Sequence, residues 1–276
     1  MKNVFELLDK RIRKELEKMG IERPTPPQVA GIPHILKGRN LLLISPTGTG
    51  KTEAAVLPIF HRLLNEWRGP GIKVIYITPL RALNRDIFRR LLKIAKNLSI
   101  SVDLRHGDTP KKERKRIAES PPDILITTPE TFQALLVLKQ YRPHLRWVRA
   151  VIVDEVHELA ESKRGVQLSV GLERLYDYVE RDFQRIGLSA TMGDIEVIAG
   201  LIFGVGRNFI VENVFSPREL KVSVEYVEWK AVPKRIFEIV SGRRSAIIFV
   251  NTRQMAESLT ELLKSSASGL KLSVHH

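Results

Sequence analysis

The residues best placed to do chemistry fall in one octapeptide, Ser45-Pro-Thr-Gly-Thr-Gly-Lys-Thr52. Gly48 and Gly50 let the backbone curl so that its N–H groups face phosphate oxygens, and a helix beginning there adds positive potential. Lys51 then suits the β- and γ-phosphates, and the Thr52 hydroxyl suits Mg²⁺. Ser45 stands where the usual pattern of such loops has its first glycine. The bland alternative, an ordinary glycine-rich turn, is disfavoured by the apolar run before the loop and the helical pattern after it. A second constellation, Asp154-Glu155-Val156-His157, follows the apolar run Ala150–Val153. There Asp154 would hold Mg²⁺ through water, and Glu155 would orient or deprotonate an attacking water. A helix-capping aspartate is the competing use. His157 either couples this segment to Ser189-Ala190-Thr191 or is a satisfied polar neighbour.

The elements that must hold these residues are legible as a rhythm. Leu41–Ser45, Val74–Thr78, Asp123–Thr127, Ala150–Asp154 and Arg185–Ser189 are nearly continuous apolar runs, as strands buried on both faces require. Between them lie helical patterns, such as Leu168, Leu172, Leu175 and Val179. Strand and helix in alternation predict an α/β fold on a parallel, doubly wound sheet, whose ligands bind outside the carboxyl ends of the strands. Beyond it, Lys221–Trp229 alternates like a strand exposed on one face. A helix over Pro233–Val240, a strand Ala246–Val250 and a helix Arg253–Lys264 then open a new α/β pattern. The expected organisation is a first domain over 1–215, a linker strand over 216–230, and the start of a second domain over 231–276.

Composition narrows the class. The 276 residues are 43% hydrophobic and 28% charged, which excludes disordered, collagenous and coiled-coil chains. With no cysteine, disulfides, Cys-ligated zinc and thiol catalysis are excluded as well. No apolar run approaches the length of a membrane span and no secretory signal is evident, so a cytoplasmic protein without a membrane partner is expected. Lys and Arg number 45 against 31 Asp and Glu, a net charge of +14 that attracts polyanions. The densest cluster, Lys111–Arg116, either grips phosphates or forms the solvated face of a short helix over Ile117 and Ala118. Nothing demands more than a monomer.

The octapeptide, DEVH and Ser189-Ala-Thr191, in that order on successive α/β units, resemble motifs I, II and III of a superfamily 2 helicase, built on a RecA-like P-loop NTPase domain. Arg23-Pro-Thr-Pro-Pro-Gln28 resembles the Q motif, Thr78-Pro-Leu-Arg-Ala-Leu83 motif Ia, Thr127-Thr-Pro-Glu130 motif Ib, and Ile247–Arg253 motif IV. Arg105-His-Gly-Asp-Thr-Pro110, Lys163–Leu175 and the closing Ser273-Val-His-His276 look like the Lhr (large helicase-related) family.

That resemblance implies an ATP- and Mg²⁺-dependent motor. Thr47, Gly48, Thr49, Gly50, Lys51 and Thr52 would bind the nucleotide, with Gln28 on the adenine edge. Lys51, Asp154 and Glu155 would be catalytic, and Thr52 and Asp154 the metal residues. His157, Ser189 and Thr191 would couple nucleotide to movement. Pro79, Arg81, Gly107, Thr128 and Pro129 would line the nucleic-acid groove. The family works 3′ to 5′ on single-stranded DNA, with RNA or DNA–RNA hybrids as alternative substrates. Motifs V and VI have no counterpart in this sequence, and motif VI supplies arginine fingers worth about 10³–10⁵ in rate in related NTPases. The chain therefore reads as a truncated motor, binding nucleotide weakly and hydrolysing it poorly by itself. Two other readings stay open: a non-catalytic nucleic-acid-binding adaptor with a nucleotide site, and a restriction-type translocase subunit.

Overall fold

The computed structural model describes residues 3–79, 81–160, 162–179, 181–191, 193–215, 221–266 and 271–274, leaving aside the side chains of 81–83 and 265–266. The chain divides into two compact units, Met1–Pro217 and Arg218–His276.

In the first unit seven parallel strands form one sheet. They are β1 (Leu41–Ile44), β2 (Val74–Ile77), β3 (Val102–Arg105), β4 (Ile124–Thr127), β5 (Ala150–Val153), β6 (Gln184–Ser189) and β7 (Ile210–Asn213), in the spatial order β3-β4-β2-β5-β6-β1-β7. The helices are α1 (Lys10–Lys18), α2 (Pro26–Leu36), α3 (Lys51–Asn65), α4 (Arg81–Ala95), α5 (Lys111–Glu119), α6 (Pro129–Val137), α7 (Arg142–Leu145), α8 (His157–Ala160), α9 (Lys163–Tyr176) and α10 (Ile195–Phe203). Alternate side chains of each central strand enter opposite cores, because the side-chain period of a strand is two. Leu41, Leu43, Val74, Tyr76, Ala150 and Ile152 face the core that includes residues of α1 to α4. Leu42, Ile44, Ile75, Ile77, Val151 and Val153 face the core that includes residues of α6, α9 and α10. Two buried faces explain the unbroken apolar runs.

All five strands expected from those runs are present. The edge strands β3 and β7 carry polar, partly exposed residues, so neither forms such a run. Helix α9 buries Leu168, Leu172 and Leu175 but ends at Tyr176, before Val179. Helix α5 buries Ile117 and leaves Lys111, Lys112 and Lys115 exposed.

The second unit contains α11 (Val232–Val240) and α12 (Arg253–Ser266), which touch each other. The strands expected over 221–229 and 246–250 do not form. Val224, Tyr226 and Phe249 stand 96%, 92% and 89% exposed. An alternating or apolar segment becomes a strand only when a neighbour takes up its backbone donors and acceptors. The linker residues 216–220 and His275-His276 lie outside the described residues.

Candidate nucleotide and nucleic-acid site

The carboxyl edge of the sheet carries two adjacent sets of loops. Strands β5, β6 and β1, side by side, deliver DEVH, Ser189-Ala-Thr191 and the glycine loop; β3, β4 and β2 deliver the loops containing Gly107, Thr128 and Pro79.

Within the glycine loop the two glycines adopt positive φ, 72° at Gly48 and 91° at Gly50, a region that favours glycine. The Thr49 hydroxyl donates to the Pro46 carbonyl at 2.7 Å, so the Ser45 hydroxyl is the donor in its 2.9 Å bond to Thr49 Oγ1. Ser45, the departure from the usual pattern, thus closes the loop from inside. Its backbone N–H donates to the Ser189 carbonyl at 3.0 Å, joining the first and third motifs. Thr47 is exposed at the loop tip. Lys51 is buried and its ammonium donates to the Ser45 carbonyl. Burial lowers its pKa, opposed by the charges of Glu155 and Asp154.

Opposite lies the acidic pair. Asp154 Oδ2 accepts from the Tyr76 hydroxyl at 2.5 Å, and Oδ1 from the Glu155 N–H at 2.9 Å. Burial and the Asp154 charge raise the pKa of the same Tyr76 hydroxyl, against the Thr52 side chain, which lowers it. Burial raises the Asp154 pKa against the pull of these bonds and of Lys51. Glu155 is raised too, by burial first and then by the Asp154 charge. Its φ of 48° is rare for a residue with a side chain, the kind of local strain that collects at functional positions. Its Oε2 is buried with no hydrogen-bond partner.

His157 Nδ1 lies 3.3 Å from Ser189 Oγ, 3.4 Å from the Ala190 N–H and 3.5 Å from Glu155 Oε2. The Ala190 N–H donates to it when the ring proton sits on Nε2. The Ser189 hydroxyl donates to the Thr191 carbonyl at 2.8 Å. The three residues expected to couple are thus in contact.

Comparison with known proteins agrees with this geometry. Residues 25–198 match the family model of the DEAD/DEAH box helicases. The chain belongs to that family. It is 38% identical, over 90% of its length, to the Lhr helicase/probable uracil glycosylase of Mycolicibacterium smegmatis, of which it covers 18%. It is 39% identical, over 91% of its length, to the ATP-dependent helicase Lhr-Core of Methanothermobacter thermautotrophicus, covering 33% of that protein. The structure of Mycobacterium smegmatis helicase Lhr bound to ssDNA and AMP-PNP superposes with a TM-score of 0.83 at 34% identity, over 95% of this chain and 36% of that one. The chain thus spans about a third or less of these proteins. The Lhr resemblance and the RecA-like fold expected from the sequence are borne out, and the chain is a helicase core segment.

The residues of this helicase segment fit a magnesium nucleotide. The Thr52 hydroxyl and the Asp154 carboxylate are hard oxygen donors, the ligands Mg²⁺ prefers alongside phosphate oxygens. Among the described residues no cluster of three or more His, Cys, Asp or Glu could hold a metal ion. Gln28 is buried, and its Oε1 accepts from the Thr25 N–H at 2.9 Å. A Cβ at Gly50 would lie 2.8 Å from Gln28 Nε2, so the amide packs directly on the glycine loop.

In the second set of loops, Thr128 caps α6 and Pro129 is that helix's first residue. The Pro79 carbonyl accepts from Arg164, and the Gly107 carbonyl from Arg114. The Arg81 side chain lies outside the described residues.

Reading the sequence missed Tyr76, and gave Arg164, inside the Lhr-like stretch Lys163–Leu175, no role of its own. The signal for Tyr76 was present: one phenol in the strand Val74–Ile77, fully buried, must place its hydroxyl on a partner. Trp67 and Trp147 line one cleft with Arg62, Arg68, Arg149 and Arg181.

Proposed function

We propose that this chain is the ATP-binding half of an Lhr-like, ATP-dependent nucleic-acid motor. Single-stranded DNA is the favoured track and 3′ to 5′ the direction of movement. The observation that carries the reading is the division of one sheet edge between a phosphate-binding and acidic cluster on β1, β5 and β6 and three loops with helix amino ends on β2, β3 and β4. The similar Lhr structure, with ssDNA and AMP-PNP bound, supports it. In this reading residues 1–215 are the first RecA-like domain, 216–230 the hinge strand, and 231–276 the opening of the second domain. The protein works as a cytoplasmic monomer.

A bound magnesium nucleotide supplies the phosphoanhydride and a divalent Lewis acid. Lys51 neutralises phosphate charge from a buried position, where attraction is little screened. Thr52 and Asp154 would hold the metal, and Tyr76 fixes the Asp154 carboxylate. Glu155, with a raised pKa and an oxygen that makes no hydrogen bond, orients the attacking water and takes its proton. Gln28 reads the adenine edge from its seat on Gly50. His157 reports the state of Glu155 to Ser189 and Thr191. Pro79, Arg81, Gly107, Thr128 and Pro129 hold a strand by its backbone, which positions it without reading sequence.

The test is nucleotide binding and ATP hydrolysis by this chain, with and without single-stranded DNA or RNA. Binding that Lys51→Ala removes, with little turnover, is the expected result. Nucleotide affinity indifferent to Lys51 would refute the assignment. Robust stimulated turnover by the segment would refute the half-motor reading.

A further inference from the structure

Arg164 lies in the Lhr-like stretch Lys163–Leu175, outside the Q motif and motifs I to IV, yet it joins two of those motifs. It sits in the first turn of α9. Its Nη2 donates to the Pro79 carbonyl at 2.8 Å, in the motif Ia loop after β2. Its Nε donates to Glu130 Oε1, in the first turn of α6 and the motif Ib segment after β4. The two bonds span 85 and 34 residues of sequence. A guanidinium can serve two acceptors in fixed directions; an ammonium fixes neither angle. Burial raises the Glu130 pKa, and the Arg164 bond, its own backbone, Thr128 and the Arg164 charge together leave it lowered.

The base of this brace rests on the acidic motif. Ser162, which caps α9, donates from its hydroxyl to the Leu159 carbonyl at 2.9 Å and accepts from the Gly165 N–H at 3.2 Å. A Cβ at Gly165 would lie 2.1 Å from that same Leu159 oxygen, so only glycine lets α9 approach so closely. Leu159 belongs to α8, the short helix that begins at His157. One continuous set of contacts therefore runs from the DEVH segment through Leu159, Ser162 and Arg164 to Pro79 and Glu130.

We propose that Arg164 is a positioning residue for strand binding: it locks the motif Ia and Ib loops into one surface for a phosphodiester backbone and sets that surface against the helix carrying His157. The inference rests on the proposed nucleic-acid function, and its test keeps the two apart. Hydrogen exchange by mass spectrometry on this chain reads the loops directly, and fluorescence anisotropy with a labelled single-stranded oligonucleotide reads the consequence. Arg164→Ala is expected to speed exchange in peptides spanning 79–84 and 128–132 while leaving 45–52 unchanged. It should also weaken oligonucleotide binding about five- to tenfold, as expected when preorganisation is removed. Nucleotide affinity should stay at the wild-type value. Arg164→Lys does not rescue, whereas Glu130→Gln, which keeps an acceptor oxygen, stays near wild type. Glu130→Ala adds little to Arg164→Ala, because both remove the same bond. Unchanged exchange in the two loops, or full rescue by lysine, overturns the proposal. So does an equal loss of nucleotide and oligonucleotide affinity, which would mark a general structural role. A wild-type chain that binds no oligonucleotide refutes the nucleic-acid function, and the exchange data then decide by themselves whether the brace exists.

Discussion

The Tyr76 hydroxyl donates to Asp154 Oδ2 at 2.5 Å, so one buried phenol from β2 fixes the carboxylate suited to a metal. Tyr76 is fully buried, and burial, then the neighbouring Asp154 charge, raises its pKa well above the ordinary phenol value. It therefore stays a neutral donor throughout the working pH range. Tyr76→Phe removes the donor and lets the Asp154 pKa rise further. The expected result is weaker Mg²⁺-dependent nucleotide binding with a stability loss of about 1–3 kcal/mol, the cost of an unsatisfied buried group. Titration calorimetry with and without Mg²⁺, beside a urea melt, checks both.

Lys51 is the buried cation of the glycine loop. Lys51→Ala is expected to weaken nucleotide binding by about 30-fold or more, because losing one member of a buried charge pair costs ~2–5 kcal/mol. A fluorescent nucleotide analogue reads this directly, and an unchanged melting temperature shows that the loss is local.

His157 touches both Glu155 and Ser189. In the full-length enzyme His157→Ala and Ser189→Ala should leave nucleotide affinity within about threefold of wild type, since these side chains contact each other, Thr191 and Ala190. Nucleic-acid stimulation of hydrolysis should fall about tenfold, a coupling loss of ~1.4 kcal/mol. Steady-state hydrolysis against oligonucleotide concentration separates the two effects.

Helix α5 is pinned at one side by Arg114, whose Nε donates to the Thr109 carbonyl at 2.6 Å, and by Arg116 on Asp103. Lys111, Lys112 and Lys115 face solvent beside the Gly107 loop. Replacing all three by alanine should reduce the salt dependence of single-strand binding by up to about 2 in the log–log slope, at ~0.7 for each phosphate no longer neutralised. An unchanged slope would assign the cluster to solubility.

Asp123 joins the starts of three strands. Its carboxylate accepts from the Ser101 N–H at 2.9 Å, the Ser101 hydroxyl at 2.7 Å and Lys73 Nζ at 2.9 Å. Burial pushes its pKa up, but these bonds outweigh it and leave the pKa lowered. A depressed folded-state pKa means stability that is present above the unfolded-state value and lost as pH falls through the folded one. Asp123→Asn should cost about 1–3 kcal/mol near neutral pH, with a smaller deficit below pH ~4. Urea melts at both pH values measure it.

The sequence by itself determined the class of fold and the chemistry of the loops. Continuous apolar runs such as Leu41–Ile44 and Ala150–Val153 need burial on both faces, and that leaves little besides a parallel sheet between helix layers. Likewise Gly48, Gly50, Lys51 and Thr52 must be neighbours in sequence to act as one cradle, so their spacing is readable. The tertiary structure alone decided whatever joins distant segments. Tyr76 and Asp154 are 78 residues apart, and Arg164 and Pro79 are 85 apart. Such pairs meet because strand order sets β2 beside β5, an arrangement no local pattern encodes. The same reason accounts for the segments 221–229 and 246–250, whose residues have the composition of strands but lack a neighbouring ladder. A strand is a property of two segments, whereas a phosphate loop is a property of one.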